Sequence, residues 1–259
     1  MSTVFAVANQ KGGVGKTTTA VNLSACMAQA GKKVLIVDID PQGNATSGLG
    51  IDKKNLEYSV YDVLINNCPA ARAVIHTEVE GLSILPSAIE LAGAEIELVS
   101  LMAREKMLDL ALQGVRSDYD FIIIDAPPSL GLLTLNALAA ADKVIVPIQC
   151  EFYALEGLSQ LVKTINLVKK HINKDLVIEG VVLTMFDART NLSIQVVDEV
   201  KKFFKTKVHT VIIPRNVRLG EAPSHGKPIT FYDSKCQGAE AYRDLAEEII
   251  EWDGEENGE

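Results

Sequence analysis

Short, continuous apolar runs alternate along the chain with longer stretches whose apolar residues recur at helical spacing. The short runs are rich in Val and Ile and lack an alternating polar face, which is typical of strands buried on both sides of a sheet. They predict strands at residues 4–8, 34–38, 82–85, 121–125, 144–148, 177–184 and 208–213. The longer stretches predict helices at residues 18–30, 88–114, 130–141, 155–171, 191–204 and 238–251. This alternation predicts an α/β fold, with one doubly wound, mainly parallel sheet flanked by helices.

A single domain over residues 1–251 accounts for this pattern, because no repeat, low-complexity segment or Pro/Gly/Ser-rich linker divides the chain. Residues 252–259 are mostly acidic or polar, and we expect a flexible acidic tail there. No apolar run approaches the ~18 residues that a membrane-spanning helix needs. The first residues show no basic and apolar leader, so we expect a cytoplasmic protein without a membrane partner.

The strongest chemical signal is the segment NQKGGVGKTT, which starts at Asn9 and lies between the first predicted strand and the first predicted helix. Glycines in such a loop allow a tight turn whose backbone N–H groups point at phosphate oxygens. Lys16 supplies a positive charge for the β- and γ-phosphates, and the Thr17 hydroxyl is a ligand for Mg²⁺. In the usual pattern GxxxxGK(S/T) a glycine would stand where this chain has Gln10, and here Lys11 follows it. The segment therefore predicts a phosphate-binding loop of unusual form.

Acidic residues follow two of the predicted strands. Asp125 ends the apolar run FIIID and is followed at once by Ala-Pro-Pro, so it lies at the carboxyl edge of the sheet, where ligands of open α/β sheets bind. An acid there can hold the shell of a Mg²⁺ ion through water. Asp38 and Asp40 follow another strand two residues apart and point the same way. One of them can stabilise the loop while the other orients an attacking water; the alternative is that Asp40 merely caps a turn.

The charge distribution bears on the partners of the protein. The chain has 259 residues and a formal net charge of −9, which by itself argues against nucleic acid. Residues 151–235 nevertheless contain 13 Lys and Arg against 9 Asp and Glu, a local excess of +4. Both a basic face and an ordinary solvated surface fit this distribution. The cysteines are few and scattered, which argues against a disulfide framework or a structural zinc site.

Seven segments together resemble the ParA/MinD-type deviant Walker ATPases, and within them the short chromosomal form of the ParA chromosome-partitioning ATPases. The resemblance covers about residues 4–245. The segments are KGGVGKTT from Lys11, DIDPQGN from Asp38, DAPPS from Asp125, QCEFYALEGL from Gln149, LTMFDARTN from Leu183, IPRNVR from Ile213 and EAPSHG from Glu221.

The resemblance implies a role for individual residues. Lys11, Lys16 and Asp40 would be catalytic: Lys11 would reach the phosphates of a partner subunit, Lys16 would bind phosphate, and Asp40 would be needed for hydrolysis but not for ATP binding. Thr17 and Asp125 would hold Mg²⁺, and Arg189 and Arg218 would contact DNA. The nucleotide-binding residues would be Lys11, Gly12, Gly13, Val14, Gly15, Lys16, Thr17, Thr18, Pro214 and Asn216.

The same resemblance implies the partners and the reaction. The protein would be a P-loop ATP hydrolase with ATP and Mg²⁺ as cofactors and slow basal turnover. It would form an ATP-dependent homodimer that binds double-stranded DNA non-specifically, with hydrolysis stimulated by a ParB-type centromere-binding protein. The protein would be cytoplasmic and associated with the nucleoid, and it would act in chromosome or origin segregation. The resemblance also suggests the replication initiator as a partner. The helix-turn-helix extension of plasmid forms is missing, which puts operator-specific repression in doubt.

Three enzyme classes and one binding class compete with this interpretation. A membrane-associated MinD-like ATPase would need a basic amphipathic C-terminal helix, whereas this C-terminus is acidic. A nitrogenase iron-protein relative would need cysteines at a cluster, and the flanks of Cys150 do not match. A metabolic ligase would need a substrate pocket that the sequence does not reveal. A pure binding module would keep the nucleotide without turnover, against which the intact Asp40 argues.

Overall fold

The computed structural model describes residues 2–151 and 158–257. Within these ranges the strands form one eight-stranded sheet in the order β3-β4-β2-β5-β1-β6-β7-β8, with every pair parallel except β3 and β4. The predicted α/β fold class is confirmed. The strands are β1 (Thr3–Val7), β2 (Val34–Asp38), β3 (Ile75–His76), β4 (Leu82–Leu85), β5 (Phe121–Asp125), β6 (Lys143–Gln149), β7 (Val177–Phe186) and β8 (Val208–Pro214).

Helices cover both faces of the sheet. Successive strand residues point to opposite sides, so that Val4 and Ala6 join one buried cluster while Phe5 and Val7 join the other. The helices are α1 (Lys16–Gln29), α2 (Asn44–Gly48), α3 (Val60–Ile65), α4 (Ala70–Ala73), α5 (Leu91–Glu97), α6 (Met107–Leu112), α7 (Leu132–Ala140), α8 (Leu158–His171), α9 (Asn191–Phe204), α10 (Val217–Glu221), α11 (Ile229–Tyr232) and α12 (Gln237–Asn257). The first cluster includes residues of α3–α9, and the second includes residues of α1, α2 and α10–α12.

The single helix predicted at residues 88–114 is wrong. The segment forms α5 and α6, separated by 3₁₀ turns and by Ala103 in the left-handed region at φ 52°. Asn136 on α7 explains the break, because its side chain accepts a hydrogen bond from the backbone N–H of Leu108 and donates one to the carbonyl of Arg104. These tertiary bonds satisfy backbone groups that a continuous helix would have bonded internally.

The flexible tail expected at residues 252–259 does not begin at residue 252, because α12 continues to Asn257; residues 258 and 259 lie outside the described residues. Trp252 stacks on His209 of β8 with 4.7 Å between ring centroids. Asp253 is buried and lies 3.2 Å from the ammonium of Lys143 on β6. Trp252 and Asp253, which belong to the acidic end in sequence, are therefore held against the sheet.

Parts of the predicted helix at 155–171 and of the segment QCEFYALEGL lie outside the described residues. Across 2–151 and 158–257, no helix has the length and apolar character needed to cross a bilayer.

Candidate nucleotide site

The chemistry-bearing segments meet where three adjacent strands end. β1 lies beside β5, and β5 lies beside β2, with Asp125 in register with both Val7 and Asp38. The phosphate loop starts two residues after Val7, and α1 begins at Lys16 directly behind it. The carboxyl edge of the sheet thus brings the loop, Asp38 and Asp125 together, as the sequence predicted.

The loop has the backbone shape that its glycines allow. Gly13 and Gly15 lie in the left-handed region, at φ 73° and 90°, which residues with a Cβ rarely adopt. Gly15 precedes the first residue of α1, and no side chain caps the helix there. The first N–H groups of α1 are therefore directed toward the loop, where an anion is favoured by the helix dipole.

Three side-chain hydrogen bonds hold the loop in place. Asn9 donates to the carbonyl of Pro147 at 2.7 Å, and its oxygen accepts from the N–H of Lys11 at 3.0 Å. Thr184, on β7, donates its hydroxyl to the carbonyl of Val14 at 2.8 Å. Asn9 and Thr184 lie in the segments NQKGGVGKTT and LTMFDARTN, but neither is among the predicted site residues, because the sequence does not show which backbone group a side chain reaches.

Lys16 and Lys11 contact each other inside the loop. The buried Nζ of Lys16 donates a hydrogen bond of 3.0 Å to the main-chain carbonyl of Lys11. Burial lowers the pKa of Lys16, and the negative charges of Asp125 and Asp40 partly offset this effect. The ammonium of Lys16 is therefore placed among the loop and the acids of the neighbouring strands.

Asp125 is fully buried, and neither of its carboxylate oxygens has a hydrogen-bond partner among the residues that the structure describes. Burial, and next the charge of Asp38, raise the pKa of Asp125 well above its usual range. The Thr17 hydroxyl lies near enough to favour the charged form, although it makes no hydrogen bond of standard geometry. A buried carboxylate that lacks a donor beside a hydroxyl fits a divalent cation, since oxygen is the ligand that Mg²⁺ prefers.

Asp38 and Asp40 differ in what they contact. Asp38 accepts bonds from both the N–H and the hydroxyl of Thr46, at 2.8 and 2.7 Å, and from the N–H of Asp40. Burial raises the pKa of Asp38 to about 6 against the lowering effect of these bonds. Asp40 accepts through Oδ1 from the N–H of Gln42, so it does cap its own turn, while its charge reaches Lys16. Asp38 therefore stabilises the backbone around Asp40 and Thr46, whereas the charge of Asp40 acts on Lys16 in the phosphate loop.

A cleft of about 480 Å³ adjoins the phosphate loop, and Gly15, Thr18 and Thr184 are among the residues that line it. Pro214 and Asn216, two of the predicted nucleotide-binding residues, also line it. Met185 also lines this cleft with its backbone in the left-handed region at φ 52°, which is unusual for a residue with a side chain. Its position was not predicted. The cleft continues the phosphate loop, so one ligand can occupy both.

The two arginines predicted to contact DNA are exposed and do not line this cleft. Arg189 forms two hydrogen bonds to the carboxylate of Asp187, at 2.9 and 2.7 Å. Arg218 binds Glu221 at 2.8 Å and lies 3.5 Å from Asp233. Both charges are thus partly neutralised by carboxylates close in sequence or space.

Comparison with known proteins agrees with this geometry. A family model described as an AAA domain matches residues 2–178. The sporulation initiation inhibitor protein Soj of Bacillus subtilis is 62% identical over 249 residues, which are 96% of this chain and 98% of that protein. The chromosome partitioning protein ParA of Myxococcus xanthus is 55% identical over 96% of this chain and 88% of its own length. The chain belongs to the ParA/Soj family of chromosome-partitioning ATPases.

A solved structure shares the fold of this chain over its whole length. The structure of cobyrinic acid a,c-diamide synthase from Mycobacterium smegmatis, with bound ADP and magnesium, superimposes with a TM-score of 0.88 at 40% identity. The aligned region covers 100% of this chain and 97% of the synthase chain. The predicted family, the P-loop fold and the class of ATP hydrolase are confirmed. The predicted cofactors, ATP and Mg²⁺, agree with the ADP and magnesium in that structure and with the ATP analogue and magnesium in a second structure of the same synthase.

Proposed function

We propose that this ParA/Soj-family ATPase is a switch that holds DNA as an ATP-bound dimer and releases it on hydrolysis. The observation that supports it best is the buried arrangement of Lys16, Asp125 and Asp40 around the phosphate loop. One cation and two acids there serve phosphate binding, metal binding and water orientation respectively. The chain would act on the nucleoid in the cytoplasm, in chromosome or origin segregation.

Phosphate binding is the task of the loop and Lys16. The N–H groups at the start of α1 and the left-handed glycines surround the phosphates, and Lys16 neutralises their charge. The triphosphate would compete with the Lys11 carbonyl for the Lys16 ammonium. The base and ribose would occupy the adjoining cleft beside Pro214 and Asn216.

Thr17 and Asp125 would hold Mg²⁺, which when bound withdraws charge from the phosphate oxygens. The hydroxyl of Thr17 offers a direct ligand, and the buried carboxylate of Asp125 accepts from water in the shell of the ion. The unsatisfied oxygens of Asp125 would thereby acquire partners.

Asp40 would orient the attacking water and accept its proton. Its Oδ1 is fixed by the N–H of Gln42, and its main-chain carbonyl accepts a bond from Ser87 at 2.7 Å. A carboxylate held in this way can act on water with little loss of conformational entropy during the reaction. Asp38 would support this position through Thr46 rather than take part in the reaction.

Dimerisation and DNA binding follow from charge. The Lys11 side chain, ahead of the glycines, would neutralise the triphosphate of a second copy, so that two copies close face to face only when ATP is bound. Arg189 and Arg218 would then contact DNA phosphates, and a dimer doubles contacts that are too few in a single copy. A ParB-type partner would stimulate hydrolysis, and the replication initiator would be a further target of the dimer.

A second candidate activity is amide synthesis, because one solved structure that is 40% identical to this chain is described as a diamide synthase. The decisive experiment measures phosphate release from ATP and Mg²⁺ with and without random duplex DNA, together with sedimentation of the protein. We expect an ATP-dependent dimer that retains DNA, loses it steeply as salt rises, and hydrolyses ATP without an added acid or amine substrate. Equally tight DNA binding by the nucleotide-free monomer would contradict the proposal. Hydrolysis that requires a carboxylic acid and an amine donor would instead indicate a synthase.

A further inference from the structure

An apolar surface lies on the segment that leaves β4 and includes α5. Met102 is 93% exposed and Ile96 78% exposed, and three further large apolar side chains nearby are exposed. The members of this surface, here the 89–102 patch, are Ile89, Ile96, Val99, Leu101 and Met102. Several large apolar side chains exposed within one short segment are a common mark of a binding site.

Folding of the chain does not account for the patch. The opposite side of α5 is already buried, with Leu91, Ala94 and Leu98 in the core beneath it. A surface helix needs only one apolar face. The outward-facing Ile96 and the exposed Met102 beyond the helix are therefore available to a partner.

The charge around the patch indicates the chemistry of that partner. Residues 89–103 contain three acids, Glu90, Glu95 and Glu97, and neither Lys nor Arg. Arg104 follows, but its guanidinium is bound to Glu105 and to the carbonyl of Val99. An apolar surface flanked by acids is complementary to a basic amphipathic segment.

The patch is joined to the nucleotide site by a short connection. Ser87, two residues before Ile89, donates its hydroxyl to the carbonyl of Asp40 at 2.7 Å. Its N–H donates to the hydroxyl of Thr46, at 2.9 Å, and Thr46 in turn donates to Asp38. A displacement of the patch would thus be transmitted to the turn that carries Asp40.

A second connection leads to the loop after Asp125. Oε1 of Glu95 occupies the space that a Cβ on Gly131 would need, at the start of α7 and six residues after Asp125. This oxygen is buried and has no hydrogen-bond partner within residues 2–151 and 158–257. Ser87, which precedes the patch, and Glu95, which lies within its segment, therefore reach the turn of Asp40 and the loop after Asp125.

We propose that the 89–102 patch docks a basic amphipathic segment of the ParB-type partner, and that docking adjusts Asp40 through Ser87. This inference rests on the proposed function and adds where the stimulating partner binds and how it reaches the catalytic acid. The apolar residues supply the contact, and Glu90 and Glu97 select for positive charge.

The test uses the full chain and a synthetic peptide of a basic amphipathic segment of the ParB-type protein from the same organism, with polylysine as a probe that lacks apolar side chains. Ile96→Ser/Met102→Ser removes the apolar contact, Glu90→Lys reverses one charge, and Leu167→Ser removes an exposed leucine on α8 as the control. Phosphate release is titrated against peptide, and ATP-dependent dimers are measured by sedimentation.

We expect wild-type protein and Leu167→Ser to be stimulated by the peptide but not by polylysine. The patch variants should need about tenfold or more peptide for half-maximal stimulation, with basal hydrolysis and dimers retained. Equal stimulation of the patch variants would overturn the inference. Loss of their ATP-dependent dimers would overturn it too, because a second copy would then cover the patch. Absence of stimulation in the wild type would instead count against the proposed function.

Discussion

Thr184 and Val14 are 170 residues apart in the chain, and the hydroxyl of Thr184 donates a 2.8 Å hydrogen bond to the carbonyl of Val14. The bond is buried and joins the end of β7 to the middle of the phosphate loop. It fixes the loop where Gly13 and Gly15 leave the backbone most free. Nucleotide affinity should therefore depend on a residue outside the loop itself.

Thr184→Val should weaken ATP binding by about tenfold, because it keeps the shape of the side chain but leaves the Val14 carbonyl buried without a donor. The same loss should destabilise the nucleotide-free protein by about 1–3 kcal/mol. Titration calorimetry with ATP and urea denaturation measure the two effects. Thr164→Val is the matched control, since the half-buried Thr164 donates its hydroxyl to the carbonyl of Gln160 within its own helix, in a bond that is open to solvent. Equal ATP affinity in both variants would mean that the loop keeps its shape without this bond.

Asp40→Asn should reduce hydrolysis by about 10²–10⁴-fold while ATP binding and dimers persist. The amide oxygen can still accept from the N–H of Gln42, so the turn remains while the basic carboxylate is lost. Single-turnover hydrolysis and sedimentation with ATP measure the effects, and DNA retention should outlast that of the wild type.

Asp38→Asn separates a structural role from the catalytic one. Asp38 accepts three hydrogen bonds, so its amide variant should lower the free energy of unfolding by about 1–3 kcal/mol, measured in urea. Asp40→Asn should change that free energy less. If Asp40→Asn hydrolysed ATP at the wild-type rate, Asp40 would have no part in the reaction.

The sequence predicts those parts of the molecule that depend on neighbouring residues. The strands predicted at 34–38, 82–85 and 121–125 begin and end at the same residues as β2, β4 and β5. Continuous apolar runs of this length are typical of strands that are buried on both faces. The phosphate loop is likewise local, and its glycines and lysines stand in one short segment.

The features that the sequence does not reveal depend on distant side chains. Asn136 interrupts the helix predicted at 88–114 through bonds 28 and 32 residues away in the chain. The bond from Ser87 to Asp40 spans 47 residues and joins two loops without periodic patterns. In each case a lone polar residue bonds a backbone group, and neither composition nor periodicity marks such a residue in advance.

Arg189→Glu should remove most DNA retention while ATP-dependent dimers persist, since Arg189 is 87% exposed and lies outside the nucleotide cleft. Each dimer would lose two phosphate contacts, so the dependence of log affinity on log salt should become less steep. Filter binding at several salt concentrations and sedimentation with ATP measure the outcome. If the dimers also disappear, Arg189 has a structural role.

Asp187→Asn should act in the opposite direction and strengthen DNA binding, because Arg189 would no longer share its charge with a carboxylate. The bonds from Arg189 lower the pKa of Asp187 to about 2. Because this pKa is below the unfolded-state pKa of Asp, near 3.9, the carboxylate is fully charged at any pH well above 3.9. The ion pair with Arg189 is lost only as the pH falls toward 2. The gain on substitution should therefore be constant between about pH 5 and 8. A gain that grows with rising pH in this window would point to a different titrating group.

Asp253→Ala should destabilise the fold by about 2–3 kcal/mol, although Asp253 lies in the stretch that looks like a flexible end. Its carboxylate lies 3.2 Å from the ammonium of Lys143 and accepts a bond from the Thr3 hydroxyl, so it ties α12 to β6 and β1. This loss of stability should lie at or below the lower end of the range for a broken buried ion pair, because the ammonium of Lys143 still lies 3.2 Å from the carboxylate of Glu179. Urea denaturation measures it, with the exposed Glu255→Ala on the same helix as the control. Since the pair is buried, the difference between the two variants should persist at high salt; a difference that salt removes would mean that Asp253 acts as a surface charge.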